Sequence, residues 1–412
     1  MWKQPWGYIE GWTISFGVLI TGIILQSFSG KIISESFHYP VNVIFGAVFI
    51  LLLLIFHLIS KNKPVLRWFS GYSAAITSVA SLLFLSIIMG LTRQLHYSAD
   101  LSQGNIIERL GFMQMTVSWQ FILISLYFLW ILGLVILKRL SRFKWKDTGF
   151  ILNHLGLFIA FFSAILGSSD LQRLQMVALL NESEWRAKND KNEMVELPLA
   201  IELNSFTIDE YPPKLMMLDN VTGEALPKKK PANVLIETYP SATELFGWEL
   251  EITEYLPFAA ALVSEDTINY VEFNGEGSTS ALYVKARNPK DGAHREGWVS
   301  CGNHQFTFSY IKLTEEESLI MPIREPKRYA SDITVYIQNG ESKNAIIEVN
   351  KPLTIAGWKI YQLSYDEKHG KWSQYSVFEL VKDTWLPFVY SGIVMMLFGC
   401  IFMFISAPNK SN

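Results

Sequence analysis

Six stretches of this 412-residue chain stay apolar for the roughly 18–20 residues that a bilayer-crossing helix needs. They are Gly11–Phe28, Val41–Ile59, Tyr72–Thr92, Trp119–Leu137, Gly149–Gly167 and Trp385–Ser406. Between the fifth and sixth the pattern changes. LPLAIELNSFTI, WELEITEY, ALYVKA, QFTFSYIKL, DITVYI, AIIEV, WKIYQLSY and QYSVFELV mostly alternate apolar and polar residues and predict strands. Turn clusters such as Asn339-Gly340 and Asn288-Pro289-Lys290-Asp291-Gly292 separate them. The stretch 171–194 looks helical and reads as a short helix or linker feeding this region. The expected fold is a membrane α-helical bundle of six transmembrane helices plus a large β-rich extracytoplasmic domain between helices five and six. The boundaries are 1–168 for the first five helices, 169–384 for the β-rich domain, and 385–412 for the last helix with a short cytoplasmic tail. No internal repeat or low-complexity tract interrupts this plan.

Charge orients the bundle. The loop after the second span carries Lys61, Lys63 and Arg67 and no acid; the loop after the fourth carries Lys138, Arg139, Arg142, Lys144 and Lys146 against Asp147 alone. The loops after the first and third spans balance to zero (Lys31 with Glu35; Arg93 and Arg109 with Asp100 and Glu108). The positive-inside rule then makes both termini cytoplasmic and puts 170–384 outside. Lys3 and Lys410 agree, and Trp119, Trp385 and Tyr390 suit interfacial anchoring. The first span is too long for a signal peptide, has one basic residue before it and no small-x-small site after it, so it reads as a retained anchor. A net charge of −3 gives no reason to expect nucleic acid.

Two cysteines, Cys301 and Cys400, form no C-x-x-C and no C-x-x-C-H. That argues against a thiol–disulfide oxidoreductase, a structural zinc site and a covalent c-type haem on this chain. Cys400 reads as packing in an apolar helix, and Cys301 has no partner in its domain. G-x-S-x-G, H-E-x-x-H and a phosphate-binding glycine loop are all missing. Glu315, Glu316, Glu317, Asp366 and Glu367 lie on polar turns and read as solvated.

The histidines remain. His294 and His369 fall in polar turns, and His304 precedes a strand as a surface or packing residue. His38 and His96 sit in the two outer loops, each followed by tyrosine, and read first as interfacial residues. His57 and His154 lie inside apolar spans, where an ionisable group is costly and is a functional hypothesis by default. His57 is three residues from Ser60, about 4–5 Å from the helix end, and is readily interfacial. His154 is six residues past Thr148, about 9 Å in. Either an interhelical hydrogen bond or axial ligation of haem iron by neutral imidazole accounts for it.

One forty-residue run has a recognisable order. In RYASDITVYIQNGESKNAIIEVNKPLTIAGWKIYQLSYD, Ser331-Asp332 precede a strand; Glu348-Val349-Asn350 and Pro352-Leu353 follow; then come Gly357, Tyr361, Gln362, Ser364 and Tyr365, with a last apolar helix beyond. This resembles the ResB-like cytochrome c biogenesis proteins, the CcsB half of the system II cytochrome c synthase. LPLAIELNSFTIDEYP (Leu197–Pro212) and His154-Leu155-Gly156-Leu157 are further points of likeness. The resemblance covers about 149–406. It implies a bacterial cytoplasmic-membrane protein that works with a CcsA-type partner to move haem outward and attach it to apocytochrome c. It implies that haem b is held transiently, with His154 as an axial ligand to the haem iron, and that a separate thioredoxin-like protein supplies reduced thiols. The family's tryptophan-rich haem-handling motif belongs to the CcsA half; no W-G-x-x-W run occurs here, so the chain is expected to be non-catalytic alone. Five spans precede the external domain, against about three in many members, so no role transfers to His57, His38 or His96.

Two other readings stand beside haem delivery. One is a membrane sensor or scaffold with an external β domain and no cofactor, although the cytoplasmic side offers only short loops. The other is a b-type cytochrome using His57 and His154 together. A Soret band separates the first from haem binding, and single substitutions of the two histidines separate the second.

Overall fold

The computed structural model describes residues 4–405 except 31, 33–36, 61–62, 97–98, 100, 102–103, 265–266 and 304–305. His304, and the charges of Lys3, Lys31, Glu35, Lys61, Asp100 and Lys410, lie outside the described residues. The helices are α1 (Tyr8–Ser29), α2 (Val41–Ser60), α3 (Pro64–Trp68), α4 (Tyr72–Leu91), α5 (Ile106–Arg109), α6 (Trp119–Leu140), α7 (Thr148–Gly167) and α8 (Leu386–Ile405). The strands are β1 (Gln172–Leu179), β2 (Ser183–Lys188), β3 (Met194–Glu210), β4 (Lys214–Asp219), β5 (Asn233–Leu235), β6 (Ser241–Leu245), β7 (Trp248–Val263), β8 (Ile268–Glu272) and β9 (Thr279–Arg287). They continue as β10 (His294–Ser300), β11 (Ile311–Lys312), β12 (Glu317–Ile320), β13 (Pro326–Ile337), β14 (Ser342–Glu348), β15 (Leu353–Ile355), β16 (Trp358–Tyr365) and β17 (Tyr375–Lys382).

Among the described residues, six helices are long and apolar enough to cross a membrane, and they fall on the six predicted stretches. That marks a multi-pass membrane protein. The chain forms two compact units, Met1–Arg173 with Val381–Asn412, and Leu174–Leu380.

In the helical unit, α7 and α8 run antiparallel at very short range, because glycines face each other at seven-residue spacing. A Cβ on Gly156 would stand 2.5 Å from the Gly392 carbonyl oxygen, and a Cβ on Gly149 would stand 3.1 Å from that of Gly399. In lipid, where apolar side chains gain little by leaving solvent, such close backbone packing is a main source of helix association. Asn153 on the same face donates to Cys400 Sγ at 3.2 Å, so the packing role expected of Cys400 includes a hydrogen bond. A second face of α7 (Phe158, Phe162, Leu166) packs against Phe49 and Leu53 of α2 and Phe128, Leu129 and Leu132 of α6. These two faces leave Phe150 and His154, one turn apart, on a third.

The β unit holds three sheets. The largest has the order β14-β13-β3-β2-β1-β17-β16-β15; the others are β10-β9-β7-β6, with β8 on β7, and β11-β12-β4-β5. Inward alternation builds the first core from Leu174, Met176, Ala178, Ile201, Leu203, Ile333, Val335, Ile360 and Phe378. Leu215, Met217 and Leu319 meet Leu250, Ile252, Leu282 and Val284 in the second. Each such side chain contributes about 1.5–3 kcal/mol by burial. Phe378→Ala, at a fully buried position, is expected to cost about 3–5 kcal/mol.

Two local expectations need correction. Residues 171–194 form no helix but β1, β2 and the start of β3. Leu171, Leu174 and Ala178 imitate a helical stripe, yet Leu174, Met176 and Ala178 alternate at period two, and β1 lies between β2 and β17, where the sheet decides. QFTFSYIKL keeps only Ile311–Lys312 as strand, with one bridge from Ser309 to Ser300; Phe308 and Tyr310 are exposed.

Candidate functional site

The half-buried third face of α7 forms the wall of a cavity. His154 and Phe150 are four residues apart, so the imidazole reaches its own helix's backbone: Nδ1 lies 2.9 Å from the Phe150 carbonyl oxygen. A carbonyl only accepts, so Nδ1 carries the proton, and in the neutral ring Nε2, at the far edge, has the lone pair. The imidazole stacks on the Phe150 ring with centroids 3.7 Å apart and planes at 24°. Among the described residues no hydrogen bond engages Nε2.

The cavity has a volume of 690 Å³. It is walled by the start of α4 (Ser70, Gly71, Tyr72, Ala75), the end of α6 (Val135, Lys138, Arg139, Arg142), the connection through Lys144, Lys146 and Asp147, and the start of α7. Five cations therefore line it against one carboxylate. Asp147 is taken by Arg139, 2.6 Å away, and Lys138 donates to the Ser70 carbonyl at 3.0 Å. Arg142, Lys144 and Lys146 remain on the rim. The arrangement suits an amphiphile with an apolar body, a metal centre that accepts a nitrogen lone pair, and anionic substituents at one edge. In sequence the basic residues carry only a topology signal; their convergence over His154 depends on packing that no local pattern encodes.

His57 sits near the C-terminal end of α2, half-buried, and is not among the residues lining this cavity. The structure thus does not bring His57 and His154 together there. His38 is drawn instead to Asp170, just past α7. Its Nδ1 lies 3.5 Å from Asp170 Oδ1; the Tyr39 backbone amide donates to the same oxygen at 2.9 Å. Asn42 Nδ2 and Trp385 Nε1 donate to Oδ2 at 2.6 and 2.7 Å, and Asn42 also reaches the Leu166 carbonyl. One carboxylate thus ties the ends of α2, α7 and α8. Burial pushes the Asp170 carboxyl up, but hydrogen bonds from Tyr39, Trp385, Asn42 and His38 outweigh it and hold the group below its ordinary value of 3.8. His96 is exposed in its loop, and its backbone carbonyl accepts from Gln114 at 2.7 Å.

In the β unit, His294 is exposed at the start of β10, as expected. The polar-turn reading holds for His369, which is exposed in a turn, and is corrected for Asp366. Asp366 is buried, at 9% exposure, and pairs with His369 Nδ1, while His369 Nε2 lies 3.4 Å from Glu276. The hydrogen bond from His369 holds the Asp366 carboxyl below its usual range. The D-x-x-H spacing was the available signal. Glu315 is solvated and pairs with Lys312 at 2.6 Å. Cys301 is half-buried and its Sγ lies 3.5 Å from Thr279 Oγ1. Among the described residues, no group of three or more His, Cys, Asp or Glu side chains could hold a metal ion.

Residues 274–373 match the model of the ResB-like family. That segment is ResB-like. The match contains the Ser331–Tyr365 run on which the resemblance chiefly rests, and it supports a role in cytochrome c biogenesis. It ends far from His154 in sequence and does not include Leu197–Pro212. No curated protein matches the chain. Among solved structures, one titled Cytochrome c Heme Lyase CcmF is similar at 11% identity, with a TM-score of 0.23, over 89% of this chain and 46% of that one. The chain spans under half the length of that structure, and a likeness this slight carries no argument.

The ResB-like signature turns out to build the fold. Ser331 on β13 is fully buried; its hydroxyl donates to Gln362 Oε1 on β16 at 2.6 Å and lies 2.9 Å from Ser376 Oγ on β17. Gln362 Nε2 donates to the Ser364 carbonyl. Since β13 and β16 stand at distant positions of one sheet, this network shows the sheet curling on itself. Ala356 and Gly357 both have positive φ, 49° and 80°, which a two-residue hairpin between β15 and β16 demands. Tyr365 stacks between Phe206 and Tyr329.

Proposed function

We propose that this ResB-like chain is the haem-delivery subunit of a system II cytochrome c synthase, acting with a CcsA-type membrane partner to present haem to apocytochrome c. The supporting observation is the cavity: an imidazole whose Nδ1 is held by the Phe150 carbonyl stands in its wall, beneath a rim of cations. The residues fit the cargo. His154 Nε2 would ligate the iron, Phe150, Val135, Tyr72 and Ala75 would face the apolar macrocycle, and Arg142, Lys144 and Lys146 would meet its carboxylates. Haem held there would supply a ligatable iron and the vinyl groups that become thioethers on an apocytochrome. The chain's own part is to bind and orient.

In this reading the basic rim faces the cytoplasm, where the loop charges place it, and haem enters from that side. A second ligand to the iron would come from the partner, and a separate thioredoxin-like protein would keep the apocytochrome thiols reduced. The chain does no chemistry alone. Co-expression with the partner tests the reading. The His154→Ala complex should lose its haem, and added imidazole should restore it. Unchanged haem content and cytochrome c yield would remove the ligand assignment.

A further inference from the structure

Four residues form a column that ends on the proposed ligand. Asp147, at 5% side-chain exposure, pairs with the Arg139 guanidinium at 2.6 Å. The Arg139 Cζ lies 5.2 Å from the centroid of the Phe150 ring. That ring stacks on His154 at 3.7 Å, and the Phe150 carbonyl accepts from His154 Nδ1 at 2.9 Å.

We propose that the Arg139–Asp147 ion pair, acting through Phe150, is the positioning device for His154. This rests on His154 being the haem ligand. A buried carboxylate holds its cationic partner tightly, because an unpaired charge there is costly. The burial of Asp147 therefore fixes where the guanidinium lies. The guanidinium is attracted to the face of the aromatic ring, and this fixes Phe150. Phe150 then restrains the imidazole twice, by its ring and by its carbonyl. Rotation of the imidazole about its own axis would break both contacts, so Nε2 stays directed at the cavity. Arg139 is accordingly a different kind of residue from Arg142, Lys144 and Lys146. It faces the same cavity, but its charge is already committed, and a lysine in its place would supply the charge without the planar fork.

The test uses the full chain with its partner, labelled with ¹⁵N-histidine. The variants are Arg139→Gln, Phe150→Leu and the double variant Arg139→Gln/Asp147→Asn, which strands no buried carboxylate; His154→Ala assigns the signal. Two quantities are read: the tautomer of His154 without haem, and the rate at which bound haem passes to an excess of apoglobin. The wild type should show the Nδ1-protonated form alone. All three variants should populate both tautomers and lose haem about tenfold faster or more, in the range of lost supporting contacts to a metal ligand. Phe150→Tyr, which keeps the ring, should stay within about twofold of wild type on the same scale. An unchanged tautomer in the double variant and in Phe150→Leu would overturn the proposal. A shifted tautomer, with haem loss equal in wild type and His154→Ala, would keep the positioning role and remove the ligand reading.

Discussion

At the scale of single residues, Asp147, His154 and Asp170 are ionisable groups held by named neighbours. Asp170 is the clearest outside the spans. Its carboxyl is held below its ordinary value of 3.8, chiefly by hydrogen bonds that outweigh burial. A depressed folded-state value means that the stabilisation is complete above the unfolded value and is lost as pH falls through the folded one. Thermal stability of the wild type should therefore drop below about pH 4, and Asp170→Asn should flatten that limb. At neutral pH the same substitution should cost about 2–3 kcal/mol, as expected for losing hydrogen bonds to a charged group; denaturation in detergent as a function of pH measures both. Ser331→Ala should cost about 1–3 kcal/mol, because it leaves buried Gln362 without its donor, and should leave haem content per folded molecule unchanged. His154 was legible in the sequence because an imidazole in an apolar helix stands out. Phe150, Arg139 and Asp147 were not, since an ordinary aromatic and two loop charges acquire meaning only when α6 and α7 are packed. The same holds for Asp170 and His38, which are 132 positions apart and meet through the fold.

At the scale of elements, the long helices could be read almost to the residue, because crossing a bilayer forces about twenty apolar residues in a row. The long strands β3, β7, β13 and β17 were legible for a related reason: alternation is sustained when one face is buried. The short β5, β12 and β15 were not, since three or four residues carry no period. The misread helix at 171–194 belongs here as well, where two periods fit one stretch and tertiary pairing chose. The α7–α8 seam gives the element-scale prediction. Its glycines allow the backbones to approach until Cβ atoms no longer fit, so Gly156→Leu or Gly392→Val must push the helices apart. We expect a cost of about 1–3 kcal/mol from overpacking. Loss of haem should accompany it, because α7 carries His154; detergent stability and haem absorbance in the same sample check both.

At the scale of the whole molecule, the account joins an apolar six-helix unit, a three-sheet β unit with a ResB-like segment, and a basic cavity ending on an imidazole. The proposed sidedness rests on loop charge and is open to direct test. A cysteine placed at Lys144 in a Cys301→Ser, Cys400→Ser background should react with an impermeant thiol reagent only from the cytoplasmic side, and one at Lys290 only from the opposite side. The reversed pattern would invert the topology and put the cavity on the wrong face for haem entry. The most direct test of the central claim is the absorption spectrum of the chain purified with the proposed CcsA-type partner, before and after His154→Ala. The account predicts a Soret band in the wild type that disappears in the variant, at equal protein recovery, and returns with imidazole. A band of equal height in both would contradict it.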